Sequence, residues 1–247
     1  SVKVAEVLRA NGCKTFAIAT IHEAITLREA GATEEIILLG LAPDMYAEAI
    51  VKYDITPVVC DSSNAAAIDK AAAAAGKLVR GLIAVDTGMG RIGYLADEAE
   101  AAAEDVKKIQ ALENFKIKGM FSHMSTADAY DKTYSHQQEE KYNKFYQTLT
   151  AAGIDIPFKT LANSASIMEL PEVYFDACRP GIILYGCYPS DEVDKNQLAI
   201  KPVMSVKANI IHLKDVPENF SVGYGRKFIS KRPSKIATLA LGYADGY

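Results

Sequence analysis

The chain has 247 residues, 49% of them hydrophobic, and a formal net charge of −4 at pH 7. That length suits one large α/β barrel or two smaller domains, with ample apolar material for a core. The mixed charge excludes a nucleic-acid footprint, no apolar run is long enough to cross a bilayer, and no charged-then-apolar leader opens the chain. Cys13, Cys60, Cys178 and Cys187 are scattered without a Cys-x-x-Cys pair. They are expected to be reduced, buried thiols of a cytoplasmic protein. His22, His123, His136 and His212 lack the paired spacing of a zinc site, so no metal is expected.

Apolar periodicity and helix stop signals divide the chain into alternating elements. Ser1 is placed to cap a helix through Val4, Val7 and Leu8 that ends near Asn11-Gly12. A strand at residues 16–19 leads to a helix over 21–30, stopped by Gly31. Residues 36–40 read as a buried strand, 44–53 as helix and 57–60 as strand. Ser62 or Ser63 is expected to cap the alanine-rich helix that runs to Gly76. After a strand at 82–85, the next helix opens on Asp97, Glu98 and Glu100 and closes on Lys107 and Lys108, matching the helix dipole. A strand at 117–122 runs into His123, and a long amphipathic helix covers 134–152. Residues 160–162 and 182–185 read as further strands.

This alternation implies a parallel sheet with right-handed crossovers. With about seven strands against the eight of a closed barrel, the fold expected is a (β/α)8 barrel missing its first strand. The barrel is assigned to residues 1–198. From 199 the rhythm changes: residues 202–211 and 236–241 alternate, separated by turn residues such as Gly223, Gly225 and Pro233. Residues 199–247 therefore read as the beginning of a C-terminal antiparallel β-domain.

The central stretch is Leu82-Ile83-Ala84-Val85-Asp86-Thr87-Gly88-Met89-Gly90-Arg91. A buried strand stops at a glycine turn that lets backbone approach a ligand, and Arg91 offers a planar, permanent charge. Taken alone, the same residues equally describe a plain turn with a surface arginine. Polar groups also fall at other strand ends: His123 with Ser125–Asp128, Asn163-Ser164, Arg179-Pro180-Gly181-Ile182, and Tyr243. In a barrel these ends share one face.

Together, the segments 86–93, 121–128, 162–166, 179–186, 221–225 and 241–246 resemble bacterial alanine racemases, pyridoxal 5′-phosphate enzymes of fold-type III. The resemblance implies a barrel followed by a β-domain, and a homodimer whose partner β-domain completes each site. The implied activity is interconversion of L- and D-alanine by two bases, supplying D-alanine for peptidoglycan. Tyr243, in Gly-Tyr-Ala-Asp-Gly, would be one base. A phenol, with a pKa near 10, needs help, which the family supplies through residues matching His123 and Arg179. Arg179 would also face the pyridine nitrogen and keep it unprotonated, weakening the electron sink. The phosphate would be held by the Ser164 hydroxyl and the N–H groups of Gly181 and Ile182. Ser164 also reads as a helix N-cap. Arg91 would hold the cofactor's phenolic oxygen and the substrate carboxylate.

Three departures from the family pattern stand out. The Schiff-base lysine, which belongs to a stretch preceding the one that Ser1-Val2-Lys3-Val4 resembles, has no counterpart in context, Lys116, Lys118 and Lys159 included. The chain stops just after Tyr243, and Ala84 stands where many members carry a lysine that steadies the arginine. The 247 residues are therefore expected to be a fragment with negligible racemase activity alone. A serine or broad-specificity racemase and a non-catalytic pyridoxal-phosphate-binding barrel remain as alternatives.

Overall fold

The computed structural model describes residues 1–246, and Tyr247 lies outside them. The chain divides into two units, Ser1–Lys201 and Pro202–Tyr247. In the first, β1 (Thr15–Ile18), β2 (Glu35–Leu38), β3 (Thr56–Val59), β4 (Val79–Asp86), β5 (Tyr94–Leu95), β6 (Phe115–Phe121) and β7 (Lys159–Thr160) form one parallel sheet. Its order is β1-β2-β3-β4-β6-β7, with β5 paired to β4. The helices are α1 (Val2–Ala10), α2 (Ile21–Glu29), α3 (Ala47–Lys52), α4 (Ser62–Ala74), α5 (Ala99–Gln110), α6 (Thr133–Ala151) and the short α7 (Ser164–Glu169). The sheet is the curled half-barrel of a TIM-type fold.

Strand β4 shows why the unbroken apolar run is needed. Leu82 and Ala84 face an inner cluster with Ile37, Val58 and Phe121, whereas Ile83 and Val85 join the core under the helices. Both faces are buried, so neither can be polar. The helical side of that core includes Ile68 of α4, Val106 and Ile109 of α5, and Tyr142, Phe145 and Leu149 of α6. Arg28 of α2 ties the starts of the strands together by donating to the carbonyls of Ala32, Glu34, Tyr53 and Asp54 at 2.7–2.9 Å.

Several sequence expectations are corrected. Residues 182–185 form a 3₁₀ turn rather than a strand. Gly181 and Gly186 bracket the turn, Gly186 at φ +76°, and the Leu184 N–H bonds back to the Gly181 carbonyl, a local bond that a strand would give to a neighbour. The strand that completes seven is instead β5, two residues long. Ser1 occupies its N-cap position without a side-chain cap bond. The cap of α4 is Asp61, whose carboxylate accepts from the Asn64 N–H at 2.7 Å. The Ser62 hydroxyl instead donates to Asp105 of α5 at 2.7 Å, and Tyr94 donates to the same carboxylate at 2.7 Å. All four cysteines are free, but Cys187 is exposed and the other three are only half-buried. Burial pushes the Cys60 thiol up to about 11, so it is an unreactive neutral thiol at neutral pH.

In the second unit, β8 (Ile210–Val216) pairs antiparallel with β11 (Ser234–Leu239), and β9 (Ser221–Val222) pairs with β10 (Phe228–Ile229). The strand expected over 202–211 begins only at Ile210, opposite Leu239 at the end of β11; past that pair the Ala240 N–H still reaches the Asn209 carbonyl at 3.3 Å, and the ladder goes no further. Buried Ser230 staples the β9–β10 hairpin: its hydroxyl accepts from the Phe220 N–H and donates to the Pro217 carbonyl.

Candidate functional site

The candidate residues of the first unit follow the C-terminal ends of β4, β6 and β7. The loop after β4 is built on Asp86, whose Oδ1 accepts from the Gly88 and Gly90 N–H groups at 2.9 and 3.0 Å. Gly88 and Gly93 have φ of +131° and +114°, which exclude ordinary side chains. The close approaches these glycines allow are to protein rather than to a ligand. Gly88 accommodates the Tyr134 hydroxyl, and a Cβ on Gly93 would stand 2.7 Å from the Ala84 carbonyl carbon. Arg91 ends this loop as an exposed side chain.

Arg179 is the hub. It donates to the Thr160 hydroxyl through Nη1, and to the carbonyls of Ser122 (2.6 Å) and Leu161 (3.0 Å) through Nη2. Its guanidinium stacks 4.7 Å from the centre of the Phe121 ring. Nη2 also lies 3.4 Å from Nδ1 of His123. Both Nη2 protons go to the Ser122 and Leu161 carbonyls, so Nη2 meets Nδ1 as a positive group rather than as a third full donor, which favours the tautomer with the lone pair on Nδ1 and the proton on Nε2. Burial lowers Arg179 to about 10, which leaves it cationic at neutral pH.

Burial, then the Arg179 charge, then the Arg91 charge lower His123 to about 4. Both charges it feels are positive, so His123 is neutral at pH 7 in a site suited to an anion. A stability consequence follows. In the unfolded chain the imidazole titrates near 6.5, so folding excludes a proton between about pH 6.5 and pH 4. The first unit is expected to lose about 2 kcal/mol across that window as the pH falls, after allowance for solvent screening. Urea titrations at several pH values measure the slope, and His123→Asn is expected to flatten it. An unchanged slope in that variant would assign the loss to other groups.

Ser164 opens α7, but the cap is Asn163, whose Oδ1 accepts from the Ala165 and Ser166 N–H groups at 3.1 Å. The Ser164 hydroxyl accepts from the Gly181 N–H at 2.8 Å, leaving its own proton free to donate. Ile182 begins the 3₁₀ turn, where the first N–H groups have no partner within the turn. Arg179, Gly181, Leu184 and Tyr185 line a cleft of about 580 Å³, together with residues of α1 and β1 and with Phe158 and Thr160.

One atom stands out chemically. Nε of Arg179 is buried and has no hydrogen-bond partner among the described residues. A buried cationic donor without an acceptor is costly. An acceptor that cannot itself be protonated there, such as an uncharged pyridine nitrogen, fits it. The donor set at Ser164 and Arg179 therefore suits pyridoxal 5′-phosphate.

The structure thus brings His123, Arg179, Ser164, Gly181 and Ile182 to one end of the sheet, with Arg91 close enough for His123 to feel its charge. Tyr243 belongs to the second unit, at the head of an exposed 3₁₀ turn (Tyr243–Asp245). That turn is closed by the Gly242 N–H donating to Asp245 at 3.0 Å. Sequence reasoning gave no role to Thr160 or Phe121, and named Asn163 only as a polar group at a strand end, not as the cap of α7. The lysines weighed there are engaged elsewhere: Lys118 with Glu35, Lys116 with the Leu112 carbonyl, and Lys159 over the Tyr146 ring. On the surface, His136, Glu139 and Glu172 gather three ligand-type atoms within 4.8 Å of one another.

Residues 1–189 match the family model described as alanine racemase, N-terminal domain, and residues 203–247 match alanine racemase, C-terminal domain. The chain belongs to the alanine racemase family. It is 47% identical over 247 residues to the alanine racemase of Clostridium kluyveri, covering 100% of this chain and 63% of that protein. The alanine racemase of Clostridium difficile 630 superposes with a TM-score of 0.87 at 36% identity, covering 100% of this chain and 64% of that one. The histidine racemase of Leuconostoc mesenteroides subsp. sake does so with a TM-score of 0.76 at 25% identity, covering 99% and 65%. The chain therefore spans less than two-thirds of the length of these racemases. No helix among the described residues is long and apolar enough to cross a membrane.

Proposed function

We propose that this chain carries most of the cofactor-binding barrel of a pyridoxal 5′-phosphate-dependent racemase that interconverts L- and D-alanine. The observation that supports this most strongly is the buried, unpartnered Nε of Arg179, on a guanidinium already anchored to Thr160, Ser122 and Leu161. When bound, the cofactor supplies the electron sink that makes the substrate α-proton removable. Arg179 would hold the pyridine nitrogen through Nε, and its retained proton would keep that nitrogen unprotonated. The Ser164 hydroxyl, with Gly181 and Ile182, would hold the phosphate, and Arg91 the phenolic oxygen and the substrate carboxylate. Tyr243 Oη would take or return the α-proton on one face of the substrate.

The second base, in this reading, is a lysine outside Lys116, Lys118 and Lys159, and the 247 residues alone do not turn over alanine. A homodimer, cytoplasmic residence and a supply of D-alanine to peptidoglycan go with it. Alanine is favoured as substrate by the 47%-identical relative. A racemase for another amino acid is the second reading, favoured by the histidine racemase that shares the fold.

The test is titration of the chain with pyridoxal 5′-phosphate, followed by borohydride reduction and peptide mapping. Binding without stoichiometric labelling of any one lysine is expected. Ser164→Ala should weaken binding about tenfold, the loss of one hydrogen bond to a charged group. No binding at millimolar cofactor, or one internal lysine fully labelled, would overturn the assignment of the site.

A further inference from the structure

Helix α6 carries a fully buried amide that the reading above does not use. Gln138 is 0% exposed. Its Oε1 accepts from both the N–H and the hydroxyl of Ser125, at 2.9 and 3.0 Å. Its Nε2 donates to the Thr87 hydroxyl at 3.2 Å and to the His123 carbonyl at 3.1 Å. Both donors and both acceptor directions of the amide are used, so the side chain has one orientation and no slack. Thr87 in turn lies 3.0 Å from the Ser122 hydroxyl, closing a buried ring of polar groups. One turn earlier on α6, Tyr134 donates to the Gly88 carbonyl at 3.0 Å.

Two loops that leave different strands are thereby tied to one helix. The loop after β4 runs through Thr87 and Gly88 to Arg91, and the loop after β6 carries His123 and Ser125. We propose that Gln138 is a positioning residue, clamping the His123 loop to the Arg91 loop so that the His123 ring meets Arg179 and stays within the field of both arginines. The chemical role this gives Gln138 rests on the racemase reading, but the clamp itself rests on geometry alone.

The burial of a glutamine at this point is hard to explain by packing. A leucine or methionine would fill the same volume in α6 without needing four partners. What the amide adds is a fixed distance between two backbones, the condition for holding a catalytic group within a fraction of an ångström.

The experiment uses the 247-residue chain with isotope-labelled histidine, following the His123 ring nitrogens by NMR through a pH titration, with His123→Asn to assign the signals. Gln138→Met removes all four bonds at similar volume. Gln138→Glu keeps the acceptor for Ser125 but sets a carboxylate oxygen against the His123 carbonyl. Both are expected to raise the His123 midpoint by about one unit, a tenfold change in proton affinity. Methionine lets the ring drift toward water and away from Arg179 and Arg91, and glutamate adds a negative charge.

The control is Phe145→Leu, an apolar core change two turns further along the same helix that removes none of the four Gln138 bonds. It should lower the denaturation midpoint but leave the His123 titration in place. If both Gln138 variants leave the His123 midpoint and the Nε2–H signal unchanged, or if Phe145→Leu moves them as far, Gln138 is only a packing residue. If the wild-type chain fails to bind pyridoxal 5′-phosphate while the Gln138 variants still move His123, the clamp stands and the cofactor reading falls.

Discussion

Replacing Arg179 by methionine is expected to destabilise the first unit by about 3 kcal/mol, to raise the His123 midpoint and to abolish cofactor binding together. The stability loss comes from acceptors left behind. The carbonyls of Ser122 and Leu161 and the hydroxyl of Thr160 all lose their donor. Each buried acceptor so stranded costs about 1–2 kcal/mol. Part of that is offset, because the cation itself is held in a poorly solvated place, as its lowering to about 10 indicates. The shift at His123 has a definite sign. Removing one of the two positive charges that depress it must move it up from about 4 toward 6.5. Arg179→Lys keeps the charge but not the fork. It is expected to cost about half as much stability, to leave His123 depressed, and still to lose the cofactor, since an ammonium has no counterpart of Nε. A urea midpoint at constant slope measures the first quantity, histidine NMR the second and cofactor titration the third. If methionine leaves the midpoint and the His123 titration where they were, Arg179 is not the hub the hydrogen bonds describe.

How far such a site is visible in the bare sequence depends on the length over which each signal is spread. The run at residues 82–85 is legible because both faces of β4 are buried, and a doubly buried strand has no alternative composition. Arg179 and Ser164 are legible as motif residues, yet nothing in sequence spacing tells that the Ser164 hydroxyl would accept from Gly181 while Asn163 does the capping. The apolar run at 182–185 reads as a strand because hydrophobicity alone cannot separate a short strand from a turn, and the deciding factor is the pair of flanking glycines. Strand β5 is too short to carry a period at all. Gln138 is invisible for another reason. A glutamine on a long amphipathic helix reads as solvent-facing, and only the three-dimensional approach of two loops reveals that all its bonds are made inside. Buried polar clamps are set by tertiary geometry, so they are the part of a site that sequence pattern conveys least.

Tyr243→Phe is expected to separate activity from stability more cleanly than any other change. The side chain is 88% exposed, so loss of its hydroxyl should shift the denaturation midpoint by less than about 0.5 kcal/mol. The turn that presents it is held by Gly242 and Asp245, which the substitution leaves intact. In a protein joining this chain to the flanking segments of its relatives, racemisation in both directions should fall by about 10³, the usual contribution of a positioned acid or base. The loss should be one-sided at the level of the proton. Racemisation needs a base on each face of the substrate, but exchange of the α-hydrogen with solvent needs only one. In D₂O, one enantiomer of alanine should therefore go on exchanging its α-hydrogen near the original rate without inverting, while the other exchanges slowly. KM should change by no more than about threefold, since the phenol is assigned a transition-state role rather than uniform binding. Equal loss of exchange from both enantiomers would mean that Tyr243 supports the site as a whole. Unchanged racemisation would remove it from the chemistry.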